Sequence, residues 1–188
     1  MPQLILGLTG QIGSGKGYVA EYLAKRFSAK IFKFSTYLLR ALDVLALEQS
    51  RDNLIKMSEM IRAGFGEDAL SHALAHDASL SDAPLVVVDG IRRIEDIAGL
   101  KSLHNFRLAA VEVDQRTRYE RIANRHEKTE ETGLTWEDFL VQEKRSTEVT
   151  VPETMARATL RLQNNDTIEE LERQIDALMT ELGIPATN

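Results

Sequence analysis

Short apolar runs alternate with longer stretches of helical spacing along the chain. Five runs are predicted to be β-strands: 4–9, 30–34, 85–90, 106–113 and 158–162. The run 85–88 is continuous and rich in valine, as expected for a central parallel strand buried on both faces. Strands that alternate with helices predict an α/β fold, here a five-stranded parallel sheet with helices on both faces.

Helical spacing fills the intervals between these strands. After the first strand, Val19, Leu23 and Phe27 recur every four residues, as on one face of a helix. Helices are also predicted near 36–46, 51–65, 67–77 and 95–103, then up to about 125, from 135 and from 167. A parallel crossover needs only about a dozen residues. We therefore expect a single domain over 1–188 with a helical insert at about 36–80, where Ser35 and Thr36 offer N-cap oxygens.

A glycine-rich motif lies between the first strand and the first helix. It has the G-x-x-x-x-G-K spacing of a phosphate-binding loop. Its residues are Gly10, Gln11, Ile12, Gly13, Ser14, Gly15 and Lys16. Glycines let the backbone turn its N–H groups onto phosphate oxygens, and the helix N-terminus adds about half a positive charge. Lys16 is expected to reach the β- and γ-phosphates. The alternative, a glycine-rich turn with an exposed lysine, fits the flanking strand and helix less well.

The position after Lys16 departs from the usual motif. A serine or threonine commonly stands there and binds Mg²⁺ through its hydroxyl, whereas this chain has Gly17 followed by Tyr18. We expect both residues to lie at the nucleotide, and we expect the metal to be held mainly through water and a carboxylate elsewhere.

Composition limits the classes of function. The formal net charge of −6 argues against a nucleic-acid-binding surface. The absence of cysteine excludes disulfides and thiolate zinc sites. Neither a signal peptide nor a membrane-spanning run is evident. We expect a cytoplasmic monomer or homodimer whose partners are small molecules.

Asp89 ends the third predicted strand, at the same sheet edge as the phosphate-binding loop. Ligands of parallel α/β sheets gather at this edge. A carboxylate beside a phosphate site is a candidate for organising Mg²⁺ through water. The alternative role is an N-cap for the residues that follow Asp89.

Three arginines are candidates for binding a phosphate on an acceptor. Arg40 lies in the first insert helix, and Arg92 and Arg93 closely follow Asp89. Guanidinium groups match phosphate oxygens bidentately. The alternative is that they are surface arginines paired with Asp43, Glu95 or Asp96.

Three more arginines flank the polar stretch 126–134. Arg121 and Arg125 share a helix face, and Arg145 follows the next helix. Cations carried by a lid can stabilise the transition state of phosphoryl transfer. The alternative is favourable charge at a helix C-terminus. We define the lid segment as about 126–148 and predict that residues 126–134 within it are mobile in the free protein.

Several of these segments resemble the nucleoside monophosphate kinase and dephospho-CoA kinase superfamily. Lys16-Gly17, Ser35-Thr36 with Arg40, and Arg121 with Arg125 are similar to adenylate kinase patterns. So is the segment from Asp89 to Arg93, although adenylate kinases carry threonine where this chain has Tyr18. The opening Gly7–Lys16 looks more like dephospho-CoA kinase. The whole chain resembles most an archaeal-type group of uncharacterised dephospho-CoA-kinase-like proteins, through Asp89–Arg92, Trp136–Phe139 and Asn164.

The resemblance implies a P-loop kinase that uses ATP with Mg²⁺. It implies that Ser35, Arg40, Arg92 and Arg93 bind the acceptor, and that Asn164 lies at the adenine, unless Asn164 only begins a turn. Lys16, Asp89, Arg121, Arg125 and Arg145 would be catalytic. The expected acceptor is a (deoxy)nucleoside monophosphate. Dephospho-CoA is the alternative acceptor, with Asp89 as a base. An ATP-binding regulatory protein with slow ATPase activity is the alternative from another class.

Overall fold

The computed structural model describes residues 1–124 and 134–187. Its central sheet has five parallel strands in the order β2-β3-β1-β4-β5. The strands are β1 Leu4–Thr9, β2 Lys30–Lys33, β3 Leu85–Ile91, β4 Phe106–Glu112 and β5 Leu160–Gln163. The predicted sheet is therefore confirmed.

Helices connect the strands. They are α1 Lys16–Phe27, α2 Phe34–Val44, α3 Arg51–Phe65, α4 Ala69–Ser79, α5 Gln115–Ala123, α6 Trp136–Glu143, α7 Val151–Ala156 and α8 Ile168–Glu181. Three of them, α2 to α4, lie between β2 and β3. The sequence had given no sign of α7.

Alternation along the strands produces two hydrophobic cores. Leu4, Leu6 and Leu8 pack on one face of the sheet with residues of α1 and α8. Ile5 lies in the other core, with residues of α2 and α4. Successive side chains of a strand point to opposite faces, so one apolar strand supplies both cores. This central position of β1 fixes its carboxyl end, where the phosphate-binding loop begins.

Two local expectations were wrong. Residues 95–103 form two single-turn 3₁₀ helices, Glu95–Ile97 and Leu100–Ser102, instead of one α-helix. Gly99 separates them, and a Cβ there would come within 2.8 Å of the His72 backbone. Ser35 and Thr36 do not cap α2, since β2 leads directly into a helix that starts at Phe34 with no side-chain cap.

Threonine side chains cap two of the later helices. Thr135 and Asp138 form a capping box at the start of α6. The Thr167 side chain accepts a hydrogen bond from the Glu170 backbone N–H at the start of α8. Residues 1–124 and 134–187 contain no helix with the length and hydrophobicity needed to cross a bilayer.

Candidate functional site

The phosphate-binding loop, residues 10–16, connects β1 directly to α1. Gly13 and Gly15 have φ values of 78° and 90°, in the left-handed region that favours glycine. A Cβ at Gly15 would also lie only 2.5 Å from Nδ2 of Asn164. Both glycines are thus required by the curled backbone, and the helix begins at Lys16 with its free N–H groups at the loop.

Lys16 folds back over its own loop. Its Nζ donates to the carbonyl oxygens of Gly10, at 2.5 Å, and Gln11, at 3.2 Å. Burial of the ammonium group is the main cause that lowers the pKa of Lys16 to about 8, and the nearby Arg92 lowers it further. Asp89 and Glu148 act in the opposite direction and raise it. These two carboxylates and Arg92 therefore act electrostatically on the lysine.

Asp89 lies at the carboxyl end of β3, as predicted. Its side chain is 17% exposed, and its Oδ2 atom is 4.0 Å from Nζ of Lys33. The described residues contain no cluster of three or more potential metal ligands from histidine, cysteine, aspartate and glutamate.

Asn164 holds the loop through a hydrogen bond to its backbone. It is buried, and its Nδ2 donates to the Ser14 carbonyl at 2.9 Å. Its Oδ1 accepts from Nη2 of Arg121 at 3.3 Å, and burial lowers the pKa of that guanidinium. The structure thus brings together Ser14, Asn164 and Arg121, with the Asn164 amide engaged by the loop backbone.

Arg118 is a second support of the loop. The residue is only 3% exposed, and its Nη1 donates to the Ile12 carbonyl at 3.2 Å. The same Nη1 lies 2.6 Å from Oε1 of Glu143 on α6, and the guanidinium lies over the Phe139 ring. One buried arginine of α5 therefore connects the phosphate-binding loop with α6.

Arg92 and Arg93 have different surroundings. Arg92 forms an ion pair with the buried Glu148, whereas Arg93 pairs with Glu67 at 2.8 Å and Glu95 at 3.4 Å. The backbone N–H groups of both arginines donate to the Asp96 carboxylate at 3.0 Å. Arg92 therefore pairs with the segment between α6 and α7, and Arg93 pairs with the segment that precedes α4 and with Glu95.

Arg40 is an exposed residue of α2. It lines a cavity of about 500 Å³ with Tyr37, Ala41, Val44 and Leu45. Ser35 is exposed in the first turn of the same helix.

The remaining predicted residues differ in their surroundings. Gly17 is exposed in the first turn of α1, and the Tyr18 hydroxyl donates to Glu172 on α8 at 2.5 Å, which raises its pKa to about 12. Arg145 is exposed after α6. Arg125 and most of the polar stretch 126–134 lie outside the described residues. The predicted mobility of that stretch therefore also falls outside them.

Two site residues were missed by sequence reasoning. Arg118 lies four residues before Ile122, the buried apolar residue of α5, so helical spacing places both on the inward face. That signal was available in the sequence. Glu148 gave no comparable signal, since its position beside Arg92 depends on how the segment after α6 returns to the sheet.

A family comparison covers most of this site. A family model described as an AAA domain matches residues 6–150, which is more than half of the chain. The matched range includes the phosphate-binding loop, Asp89, Arg118 and Glu148. The chain belongs to this AAA domain family.

Whole-chain comparisons extend this finding. A UPF0200 protein of Hyperthermus butylicus is 25% identical over 180 residues, which are 96% of this chain and 95% of that protein. Among solved structures, TT1252 from Thermus thermophilus is 24% identical, with a TM-score of 0.66, and covers 97% of this chain and 99% of its own. Shikimate kinase from Bacteroides thetaiotaomicron is 12% identical, with a TM-score of 0.60, and covers 96% and 98% respectively. This chain therefore has the P-loop kinase fold.

The arrangement in this AAA domain is suited to binding an anion. Backbone N–H groups at a helix N-terminus lie beside a lysine, and the charge of Arg92 also acts on that lysine. Asp89 and Glu148 offset part of that positive charge in the free protein. A ligand with several phosphate charges would match the site better than a neutral ligand, because it satisfies the N–H groups and both cations.

Proposed function

We propose that the chain is an ATP-dependent phosphotransferase that moves the γ-phosphate of ATP to a small phosphate-bearing acceptor, a (deoxy)nucleoside monophosphate. The observation that carries the proposal is the position of Lys16. Its ammonium group lies in the phosphate-binding loop, within the electrostatic influence of Asp89 and Arg92 at the carboxyl edge of the sheet. Phosphoryl transfer depends mainly on such positioning and charge stabilisation.

The donor phosphates would bind in the loop 10–16, with the N–H groups of Gly17 and Tyr18 also available at the start of α1. Lys16 would leave the Gly10 and Gln11 carbonyls for the β- and γ-phosphates. Asn164 would act through the loop backbone, because its amide is bound to Ser14 and Arg121.

The donor set near the loop fits a magnesium ion held largely by the nucleotide. Gly17 supplies no hydroxyl, so Asp89 would hold the ion through water. Mg²⁺, when bound, neutralises charge on the transferring phosphates. The chain's own part is to keep a carboxylate at the end of β3 and to orient the phosphates with backbone N–H groups.

The acceptor would bind between the helical insert at about 36–80 and the end of β3. Ser35 and Arg40 belong to the insert, and Arg40 borders an open, largely apolar depression on the surface of α2. Arg92 and Arg93 follow β3. Arg92 is the better placed of the two for a reacting phosphate, since its charge already acts on Lys16.

Arg121, Arg125 and Arg145 would close over the transferring group together with the lid segment. Closure also keeps out water, which would otherwise accept the phosphate. Arg121 would have to exchange its Asn164 partner for a phosphate oxygen.

Two alternatives each have a supporting observation. Asp89 is largely buried beside Lys33, so it could serve as a base for a hydroxyl acceptor such as dephospho-CoA. A regulatory ATP-binding protein with slow ATPase activity is favoured by the pairing of Arg92 and Arg93 with glutamates, which reduces the charge available to an acceptor.

A coupled assay of ADP release distinguishes the three functions. The wild-type chain is supplied with Mg-ATP alone, with each nucleoside monophosphate, or with dephospho-CoA. Stimulation by a monophosphate supports the proposal, stimulation by dephospho-CoA alone selects that acceptor, and slow release without stimulation selects the regulatory protein. Lys16→Ala should abolish all release, whereas Lys25→Ala, an exposed lysine on the same helix, is the matched control.

A further inference from the structure

Two separate side chains hold the backbone of the phosphate-binding loop. Arg118 donates to the Ile12 carbonyl at 3.2 Å, and Asn164 donates to the Ser14 carbonyl at 2.9 Å. A trans peptide directs its C=O and the next N–H in opposite directions. A donor on α5 that fixes the Ile12 oxygen therefore aims the Gly13 N–H away from α5. Asn164, which fixes the Ser14 oxygen, aims the Gly15 N–H away from its own side chain.

Residues of α5 lie close against Gly13. A Cβ at Gly13 would lie 2.8 Å from the Arg118 carbonyl oxygen and 3.0 Å from Ile122, so α5 closely covers that side of the loop. The Gly10 and Gln11 carbonyls accept from Lys16. The Gly13 N–H is thus free to meet a phosphate only on the side away from α5.

The guanidinium of Arg118 is itself fixed. Its Nε donates to the Val113 carbonyl at 3.3 Å, after β4, and its Nη1 pairs with Glu143 on α6. Phe139 of the same helix lies beneath it at 5.6 Å. A planar group with several donors can hold the loop, the end of β4 and α6 together, whereas a lysine presents a single nitrogen.

We propose that Arg118 is a positioning residue that aims the Gly13 N–H at a nucleotide phosphate. This inference rests on the proposed function, since it needs a nucleotide in the loop. Arg118 acts through the Ile12–Gly13 peptide and touches no reacting atom. Glu143 holds the guanidinium in place and thereby connects α6 to the geometry of the loop.

The sequence provides a selective spectroscopic reporter. Ile12–Gly13 is the only Ile-Gly pair in the chain, and Ser14–Gly15 is the only Ser-Gly pair. Labelling isoleucine or serine with ¹³C at the carbonyl and glycine with ¹⁵N therefore identifies each amide without a full assignment. The probe is Mg-ADP, and the readout is the change in amide proton shift at Gly13 and Gly15.

In the wild-type chain, Mg-ADP should move both amides downfield. No shift at either amide would overturn the proposed nucleotide site, and this inference with it. In Arg118→Lys, the Gly13 shift should fall by more than half while the Gly15 shift persists, because Asn164 still holds Ser14. Loss of one phosphate contact should weaken Mg-ADP binding roughly tenfold. A wild-type Gly13 response in Arg118→Lys would overturn the inference and leave the proposed function intact.

Two further variants separate positioning from folding. Arg116→Lys changes an exposed arginine on the same helix and should leave both responses unchanged; a loss of the Gly13 response there would overturn the assignment to Arg118. Glu143→Gln retains the side-chain volume but removes the ion pair, and it provides the test if Arg118→Lys does not fold. Glu143→Gln should reduce the Mg-ADP-induced shift of the Gly13 amide proton and leave that of Gly15 unchanged. An unchanged Gly13 shift in folded Glu143→Gln would count against the proposed role.

Discussion

The Lys16 ammonium nitrogen lies 2.5 Å from the Gly10 carbonyl oxygen, so the loop binds its own lysine in the free protein. The surrounding residues change the pKa of the lysine. Burial and Arg92 lower the pKa of Lys16 to about 8, while Asp89 and Glu148 limit the shift. A phosphate that replaces the two carbonyls brings full negative charge and favours the protonated lysine.

The first prediction is therefore proton uptake when ATP binds above pH 8. The free chain has lost the Lys16 proton there, whereas the complex keeps it. The Kd for ATP should then rise with pH from about 8, by at most tenfold per unit. Calorimetry at pH 9 in two buffers of different ionisation enthalpy measures the uptake. Lys16→Met should show none, and an equal uptake in that variant would contradict the assignment to Lys16.

A second prediction concerns Glu148. Its carboxylate raises the pKa of Lys16 and pairs with Arg92. Glu148→Gln should therefore move the rise in the ATP Kd to lower pH and leave Arg92 more available to an anionic acceptor. ATP titrations over pH 6.5–9.5 detect the shift. Glu153→Gln, an exposed glutamate on α7, is the control, and identical pH curves for Glu148→Gln and the wild type would refute the expected coupling.

A third prediction separates acceptor binding from transfer. Arg40→Ala should lower the affinity for the acceptor roughly ten- to hundredfold, because a charged hydrogen bond contributes about 1.5–3 kcal/mol. The affinity for ATP should change little. Arg121→Ala should instead lower kcat more than acceptor affinity, since its charge is most useful in the transition state. Steady-state kinetics with binding titrations resolve the two patterns.

Lys56→Ala, on an exposed position of α3, is the control for Arg40→Ala. Weaker ATP binding with unchanged acceptor binding in Arg40→Ala would show that the helical insert is not the acceptor site. The regulatory function would then be the better explanation.

A fourth prediction concerns the missing hydroxyl at Gly17. A Cβ at this position would meet nothing within 4 Å, so a serine fits without rearrangement. Gly17→Ser should lower the Mg²⁺ concentration needed for tight ADP binding, because its hydroxyl adds a ligand. It should also stabilise α1, where glycine costs about 0.5–1 kcal/mol relative to alanine. Calorimetry of ADP binding against Mg²⁺ and urea unfolding measure both effects. Gly17→Ala should reproduce only the stability gain; equal Mg²⁺ dependence in the two variants would exclude metal binding through this position.

Short sequence patterns were sufficient to predict the features that depend on neighbouring residues in the chain. Short apolar runs predicted the five parallel strands, and the glycines and lysine of residues 10–16 predicted the loop between β1 and α1. Both features depend on residues close together in the chain, through side-chain period and backbone freedom. The caps at Thr135 and Thr167 are equally local, since each threonine side chain bonds a backbone N–H three residues later.

Only the tertiary structure decided which side chains meet at the loop. Asn164 reaches Ser14 across 150 residues, and Arg118 reaches Ile12 across 106. Glu148 pairs with Arg92 across 56, in a segment without a distinctive pattern. Such contacts depend on strand order, which places β4 and β5 on one side of β1 and β3 on the other. Sequence spacing identified residues capable of this chemistry, but the packing of the sheet assigned their partners.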